Sequence, residues 1–536
     1  MNNPSTHHML RPLFMLCLMT FGCQRESILT TAPPALSIIP AVDLPQQHFG
    51  TDRNPQNRQD STTTFTPTPD SPIELDLGSV RASALENNLD IQVDLLAIDT
   101  AESSLAEARS VTDPTLSASI NRSSSDSPAA QDTQGSQNDN SSASVGLTMP
   151  LGSGDSLDVR LPWFRSSTNA AFSLSSYNAA QIDVTYRSPL NKGRGTKNFE
   201  RGIRIARTDL DLTVLATRLS ITNTLANAER AYWSWYAAGE GLAVAEERVR
   251  LAEDQVARAE RQVKAGAAAE LEVLRAKSGL SAAQEARLNA DVNHRNTERA
   301  LRAAMRRPDL PLGQQGGLEP NTLPDPKVRI LDRKALVELA HKERAEVAQH
   351  KGRLSNLQER FDGAMDNEKV AVDLVAGWGR SSIADSFTDA FESINDGREW
   401  SLGVTATMPI GNNAAEAQTR SARLARLREV RTGSSLLEQI EREVLDAADR
   451  YESAGERISA AREELNVTKA ALAGEQRQFE AGTVTSRQVL EAAEALAAAQ
   501  NRMVSALTDL ETSRIDLALA CGGLLGREAI SFGLTN

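Results

Sequence analysis

The chain has 536 residues, with 58 Lys and Arg against 71 Asp and Glu, for a formal net charge of −13. This acidic excess argues against generic polyanion binding, nucleic acid included. Aromatics make up only 4% of the residues and alanine runs recur, a composition that suits long thin helices and leans away from a compact enzyme.

Residues 1–22 read as an export signal. Arg11 and the amino terminus form a modest positive region, and PLFMLCLMTFG (12–22) is an apolar stretch of signal-peptide length, too short to span a bilayer. Cleavage before Cys23 would leave the N-terminal cysteine that bacterial lipoprotein processing acylates, so Cys23 is the expected lipidation site. Thr20 stands where that processing usually has an aliphatic residue, and an ordinary signal peptide is the alternative. The only other cysteines are Cys17 and Cys521, which leaves no intramolecular disulfide framework. Residues 23–74 are rich in Pro, Thr, Ser, Gln and Asn and are expected to form a disordered or extended leader. No later segment reaches the ~18–20 uninterrupted apolar residues of a transmembrane helix, so a membrane crossing must use strands.

From about residue 75 the chain is duplicated. QVKAGAAAELEVLRA begins at Gln262 and QFEAGTVTSRQVLEA at Gln478; the same offset of 216 aligns AGEGLAVAEERV from Ala238 with AGERISAAREEL from Ala454. The first repeat, 75–310, is expected to run helix, strands (115–188), long helix (199–265) and return helix (270–306). A linker (311–332) leads to the second repeat, 333–528, with a helix, strands (369–410), a long helix (414–481) and a return helix (486–525), then a tail (529–536). The opening helices of the halves are offset by more than 216, which places an insertion in the first half between its opening and long helices.

The long helices carry heptad seams. Leu242, Ala245, Val249, Ala252, Val256, Ala259 and Val263 follow steps of three and four, and Ile458, Ala461, Leu465, Leu472 and Phe479 repeat the rhythm. Val489, Ala493, Leu496, Met503, Leu507, Leu510 and Leu517 continue it on the second return helix, which predicts antiparallel coiled-coil hairpins about 100 Å long. Gly266 and Gly482 follow the descending helices, where a residue without a Cβ caps a C-terminus in the left-handed conformation. Thr485 and Gln488 form a capping box for the second return helix, whereas Ala269 and Glu272 at the first turn lack the capping hydroxyl.

In the strand regions the period falls to two. Val370, Val372, Leu374, Ala376 and Trp378 alternate with polar or small residues, as do Trp400, Leu402, Val404, Ala406 and Met408, and each run has the length of a tilted membrane strand. The first half gives three or four such runs around Leu116–Ile120, Val145–Met149, Val159–Leu161 and Ile182–Tyr186, one pair of which could extend beyond a membrane as a hairpin. Trp163, Trp378 and Trp400 fall where interfacial aromatics are wanted. Alternation alone also fits a soluble antiparallel sheet. Four strands cannot close a barrel, so the edges call for further copies of the chain.

From about residue 75 to 528 the chain resembles the TolC-like outer membrane efflux protein family. The resemblance is carried by the ALENNLDIQ opening helix, SPLNKGRGTKNFERGIRIAR, AYWSWYAAGEGLAVAEERVRLAE, TMPIGNNAAEAQTRSARL, and the turns AGAAAELEVL and AGTVTSRQVL. It implies a mainly α fold with β: duplicated coiled-coil hairpins forming a periplasmic α-barrel, and four or more strands contributing to a trimeric 12-stranded outer-membrane β-barrel. It further implies the exit duct of a tripartite efflux or type I secretion system, a homotrimer in outer membrane lipid recruited by a periplasmic adaptor and an inner-membrane transporter. Gly266, Glu270 and Glu272, with Gly482, Thr485, Ser486 and Gln488, become the periplasmic tips that meet the adaptor. Glu272 fits the family's acidic tip residue and Gln488 departs from it. Family members commonly have two strands per half, so the alternating run at 143–162 is a further departure.

No catalytic, cofactor or metal-binding pattern stands out. The six histidines form no HExxH, and His341 and His350 read as solvated helix residues. GSGDS (152–156) and NKGRG (191–195) read as turns, and RAAMRRP (302–308) as a basic helix end before proline. The alternative function is a periplasmic adaptor or coiled-coil scaffold, but adaptors usually carry one hairpin, and a filamentous coiled coil leaves the strands unexplained.

Overall fold

A computed structural model describes residues 73–128, 135–171, 174–266, 269–313 and 317–523. The export signal and Cys23 lie outside them. Strand β1 (Ile73–Leu75) leads into α1 (Leu77–Asn87) and α2 (Leu89–Arg109), and four strands follow: β2 (Thr115–Asp126), β3 (Gln137–Pro150), β4 (Ser156–Thr168) and β5 (Ser176–Pro189). After a single turn, α3 (Thr196–Phe199), come the long α4 (Arg201–Lys264) and its return helix α5 (Glu270–Met305). The second half has β6 (Leu318–Pro320), α6 (Arg333–Glu343), α7 (Ala345–Asn367), β7 (Ala371–Ala384), α8 (Phe387–Glu392), β8 (Gly397–Thr407), α9 (Asn413–Glu480) and α10 (Ser486–Ala520). Among the described residues no helix is long and apolar enough to cross a membrane.

The strand regions form one antiparallel sheet in the order β2-β3-β4-β5-β7-β8, so the first half supplies four strands and the second two. Helices α2 and α7 begin at 89 and 345, an offset of 256, against 216 for the long helices; the difference of forty residues is filled by the β3–β4 hairpin and the loop before it. That hairpin, the departure at 143–162, does not project beyond its neighbours. Both its strands pair along their length with β2 and β5, because their alternation continues the same faces.

Residues paired across an antiparallel ladder share a face. One row across all six strands reads Leu116, Leu147, Val159, Val184, Trp378, Trp400; the next reads Ser117, Gly146, Arg160, Asp183, Gly379, Glu399. The sheet therefore has one apolar and one polar face. Much of this apolar face is uncovered in the single chain, with Trp400 79% and Leu402 66% exposed. This band drifts along the register. Its far end is Ile120 on β2 but Trp400 on β8, which lies in the row of Leu116, four residues nearer the helices. A drift of about one residue per strand is what a tilt of roughly 36° produces in a closed barrel.

The helical hairpins bury the predicted seams. Ala252 and Ala259 on α4, Ile458, Ala461, Leu472 and Phe479 on α9, and Val489, Ala493, Leu510 and Leu517 on α10 are all buried. Alanine at four of these ten positions lets the helix axes approach closely. At mid-length a second core forms around Tyr232, Trp233 and Trp235, with Val80, Ile91, Leu301 and Met305 packed on it. The end of the leader and the linker meet there, since β1 pairs in parallel with β6. The linker is tied down rather than free. The Tyr232 hydroxyl accepts the Thr322 N–H at 3.0 Å and donates to the Thr322 carbonyl at 2.9 Å, and the Arg329 N–H donates to the Tyr451 hydroxyl at 2.8 Å. Burial pushes the Tyr232 phenol above its usual range.

The two glycine-rich turns meet at the sheet–helix junction, where the Gly195 N–H donates to the Ser153 carbonyl at 2.9 Å. His350 differs from the solvated reading. Its Nδ1 lies 2.9 Å from the Glu429 carboxylate, and its ring covers Gly433, where a Cβ would fall 2.1 Å from Nε2. Arg302 is likewise fully buried and bonded to Glu298, while Arg307 pairs with Asp309. Two of the three arginines of the basic helix end are thus paired with acids close by in the chain.

Candidate functional site: the helical tips and the two-faced sheet

The tips are built by helix termination. Gly266 and Gly482 adopt φ of +70° and +75°, and the N–H of each donates at 3.0 Å to a carbonyl of the last helical turn, Val263 and Phe479 respectively. At the second turn Thr483 N–H also reaches the Gln478 carbonyl at 3.0 Å, closing a Schellman-type end. Gln488 reaches back to the start of α10, where its Oε1 accepts the Thr485 N–H at 2.8 Å and the Thr485 hydroxyl at 3.2 Å. Ala269 gives α5 no side-chain cap.

The two tips interlock. Ser486, fully buried, donates its N–H to Glu272 Oε2 at 3.1 Å, and its hydroxyl lies 3.4 Å from Gln255 Nε2. The carboxylate of the first tip thereby satisfies a free amide at the N-terminus of the second return helix, where negative charge is favoured. Arg275 holds the other Glu272 oxygen at 2.7 Å. Gln262 Nε2 donates to the Phe479 carbonyl at 3.2 Å, and Arg258 pairs with Glu480 at 3.1 Å. Beneath them Leu472, Phe479, Val489 and Ala493 form a small apolar core.

Of the seven tip residues singled out from sequence, Glu272 and Ser486 come into direct contact, and Thr485 and Gln488 close one helix start. Gly266 and Gly482 end the descending helices, and Glu270 stands exposed in the first turn of α5. Gln255, Arg258, Gln262 and Arg275 were missed. Their only sequence signal is polar residues beside a heptad seam, which solvated positions share.

At the other end of the molecule the polar sheet face gathers Asp158, Arg160, Asp183, Arg187 and Glu399 around a concavity also lined by Gly377, Gly379 and Ser401. The Gln181 amide donates to Asp183 at 2.6 Å and to Glu399 at 2.8 Å. Charges of both signs on one face, an apolar band on the other and long helical hairpins below define a membrane channel subunit with a water-facing interior.

The family model for outer membrane efflux proteins matches residues 164–305 and 336–523, and the chain belongs to that family. It is an outer membrane efflux channel, in a family of transport proteins rather than enzymes. Among solved structures, a membrane protein from Pseudomonas aeruginosa is similar at 19% identity and TM-score 0.65, covering 83% of this chain and 93% of that one. The outer membrane protein VceC of Vibrio cholerae is similar at 16% and 0.64, covering 83% and 96%. The CmeC outer membrane channel of Campylobacter jejuni is similar at 14% and 0.64, covering 83% and 85%. No curated protein matches the sequence.

Proposed function

We infer that three copies of this chain close into a duct that carries substrate across the periplasm and outer membrane for an inner-membrane transporter joined through a periplasmic adaptor. The observation that carries this reading is the six-stranded sheet with one apolar face and unpaired edges at β2 and β8. Such edges and such a face are stable only when neighbouring copies pair with them in a membrane. Three copies of a six-stranded sheet give eighteen strands, not the twelve of the sequence expectation, and a barrel of that size leaves an aqueous channel.

The duct does no covalent chemistry. Its adaptor contact is the tip set Gly266, Glu270, Glu272, Gly482, Thr485, Ser486 and Gln488, and the Glu272–Ser486 contact is the latch that an opening transition exchanges. Cys23, once residues 1–22 are removed, is the acylated anchor. Type I secretion is served by the same duct with a different transporter.

The test is the mass of the complex extracted by detergent from separated outer membranes, with export measured in cells that carry or lack the chain. A trimer that restores export supports the reading. A monomer released without detergent refutes it and favours the soluble scaffold.

A further inference from the structure

Four of the six strands end their apolar run in the same way. On the apolar face, counting away from the helices, Ile120 is followed two residues on by Arg122, Trp163 by Arg165 and Trp378 by Arg380; on β8, which runs the other way, Trp400 is preceded two residues earlier by Arg398. Side chains two apart on a strand share a face, so each arginine stands one step beyond the last apolar residue. The drift of the band keeps them level. Arg380 pairs with Arg398, four residues nearer the helices than the row shared by Arg122 and Arg165, just as the band itself has shifted by β8.

Arg122, Arg165 and Arg398 are exposed and Arg380 is half-buried. Among the described residues none of the four forms an ion pair, a state they share with Arg160 and Arg187 on the polar face, in a chain with a net charge of −13. Arg380 lies 5.7 Å above the Trp378 ring, and its Nη1 is 3.4 Å from the Asn395 carbonyl. Among the strand residues of this face the acids are Asp126 and Asp139, further out on β2 and β3; α8 carries Asp389 and Glu392, and Asp396 follows Asn395, but among the described residues none of these forms an ion pair with the four arginines. Beside the belt, α8 lies against the sheet, with Phe387 packed edge-on to Trp163 at 5.4 Å and Phe391 beside it at 4.9 Å, both still exposed.

We propose that this belt binds the phosphates of the phosphorylated glycolipid in the outer leaflet. The inference rests on the reading of the sheet as part of an outer-membrane barrel. The belt lies at the sheet end away from the helices, so with the helices in the periplasm it meets the outer leaflet. Tryptophan marks the level where acyl chains give way to headgroups. Arginine's planar fork is matched to phosphate oxygens, and four unpaired forks in a row suit a headgroup bearing more than one phosphate.

The test uses the full-length protein in phosphatidylcholine vesicles containing either lipid A, the same lipid A with its phosphates removed, or phosphatidylglycerol. Flotation with the vesicles is scored first, then the lipid retained on the detergent-extracted protein is measured by native mass spectrometry. The expected result is at least tenfold greater retention of lipid A than of either comparison lipid. Retention should be lost in Arg122→Gln/Arg165→Gln/Arg380→Gln/Arg398→Gln and kept in Arg160→Gln/Arg187→Gln on the polar face. Equal retention of the dephosphorylated lipid, or of phosphatidylglycerol, by the unaltered protein overturns the proposal without recourse to a variant. So does unchanged retention in the four-arginine variant. Failure to float with any vesicle would instead overturn the barrel reading on which the proposal stands.

Discussion

Replacing Glu272 should loosen the second tip, although the two residues it joins lie 214 positions apart. Its carboxylate accepts the Ser486 N–H at 3.1 Å, and Ser486 is fully buried, so water does not readily replace the lost acceptor. A hydrogen bond to a charged group contributes about 1.5–3 kcal/mol, and a carboxylate at a helix N-terminus about 0.3–1 kcal/mol. The Arg275 partner is 45% exposed and adds little. Glu272→Ala should therefore destabilise the closed tip by about 2 kcal/mol, roughly a 30-fold shift in the local opening equilibrium. Glu272→Gln keeps a neutral acceptor of about half the strength, for a shift of roughly fivefold. Hydrogen exchange of the full-length protein measures this directly. Peptides covering 485–490 should lose protection by those factors while β7 and β8 are unchanged, and single-channel recordings in a planar bilayer should show a raised open fraction in the same order, Ala above Gln. Undiminished protection in Glu272→Ala would refute the latch, since the contact would then carry no part of tip stability.

The two faces of the sheet should respond oppositely to charge: Leu402→Arg should cost about 2–4 kcal/mol of stability in the membrane, whereas its neighbour Ser401→Arg, on the polar face, should fold normally and alter conductance. Refolding into vesicles followed by urea titration reads the first, and bilayer recording the second. Tyr232→Phe removes the hydroxyl that satisfies both backbone groups of Thr322 and should cost about 1–3 kcal/mol, read as a lower melting temperature with earlier proteolysis within 317–332. Acid should weaken the sheet–helix junction. Hydrogen bonds from Arg204 to Glu359 and from Lys197 to Asp362 hold both carboxyls below their usual range; at Asp366 burial pulls upward, but bonds from Lys369 and the Gly193 N–H outweigh it. Because these folded-state values are depressed, their stabilisation is complete above the unfolded carboxylate range and is lost as pH falls through the folded values. The melting temperature should be flat above about pH 5 and drop below about pH 4, and Glu359→Gln/Asp362→Asn/Asp366→Asn should remove much of that drop.

The duplicated hairpins were legible in the sequence because each rests on local periodicity. Heptad steps, two glycines placed where helices must stop, and the Thr485–Gln488 cap involve residues a few positions apart, and chemistry over that range is nearly independent of the rest of the chain. The alternation that makes one sheet face apolar was legible for the same reason. Strand number was less so. The run at 143–162 reads equally as a projecting hairpin or as two further sheet strands, and only the row from Leu116 to Trp400 shows it to be the latter. Tertiary structure alone decided that Glu272 caps a helix in the other repeat, that Tyr232 anchors the linker, that His350 is covered and paired, and that four arginines scattered from 122 to 398 stand at one level beyond the apolar band. Periodicity says which way a side chain faces within its own element; what it faces is fixed by the register between distant segments, which depends on the whole chain's packing.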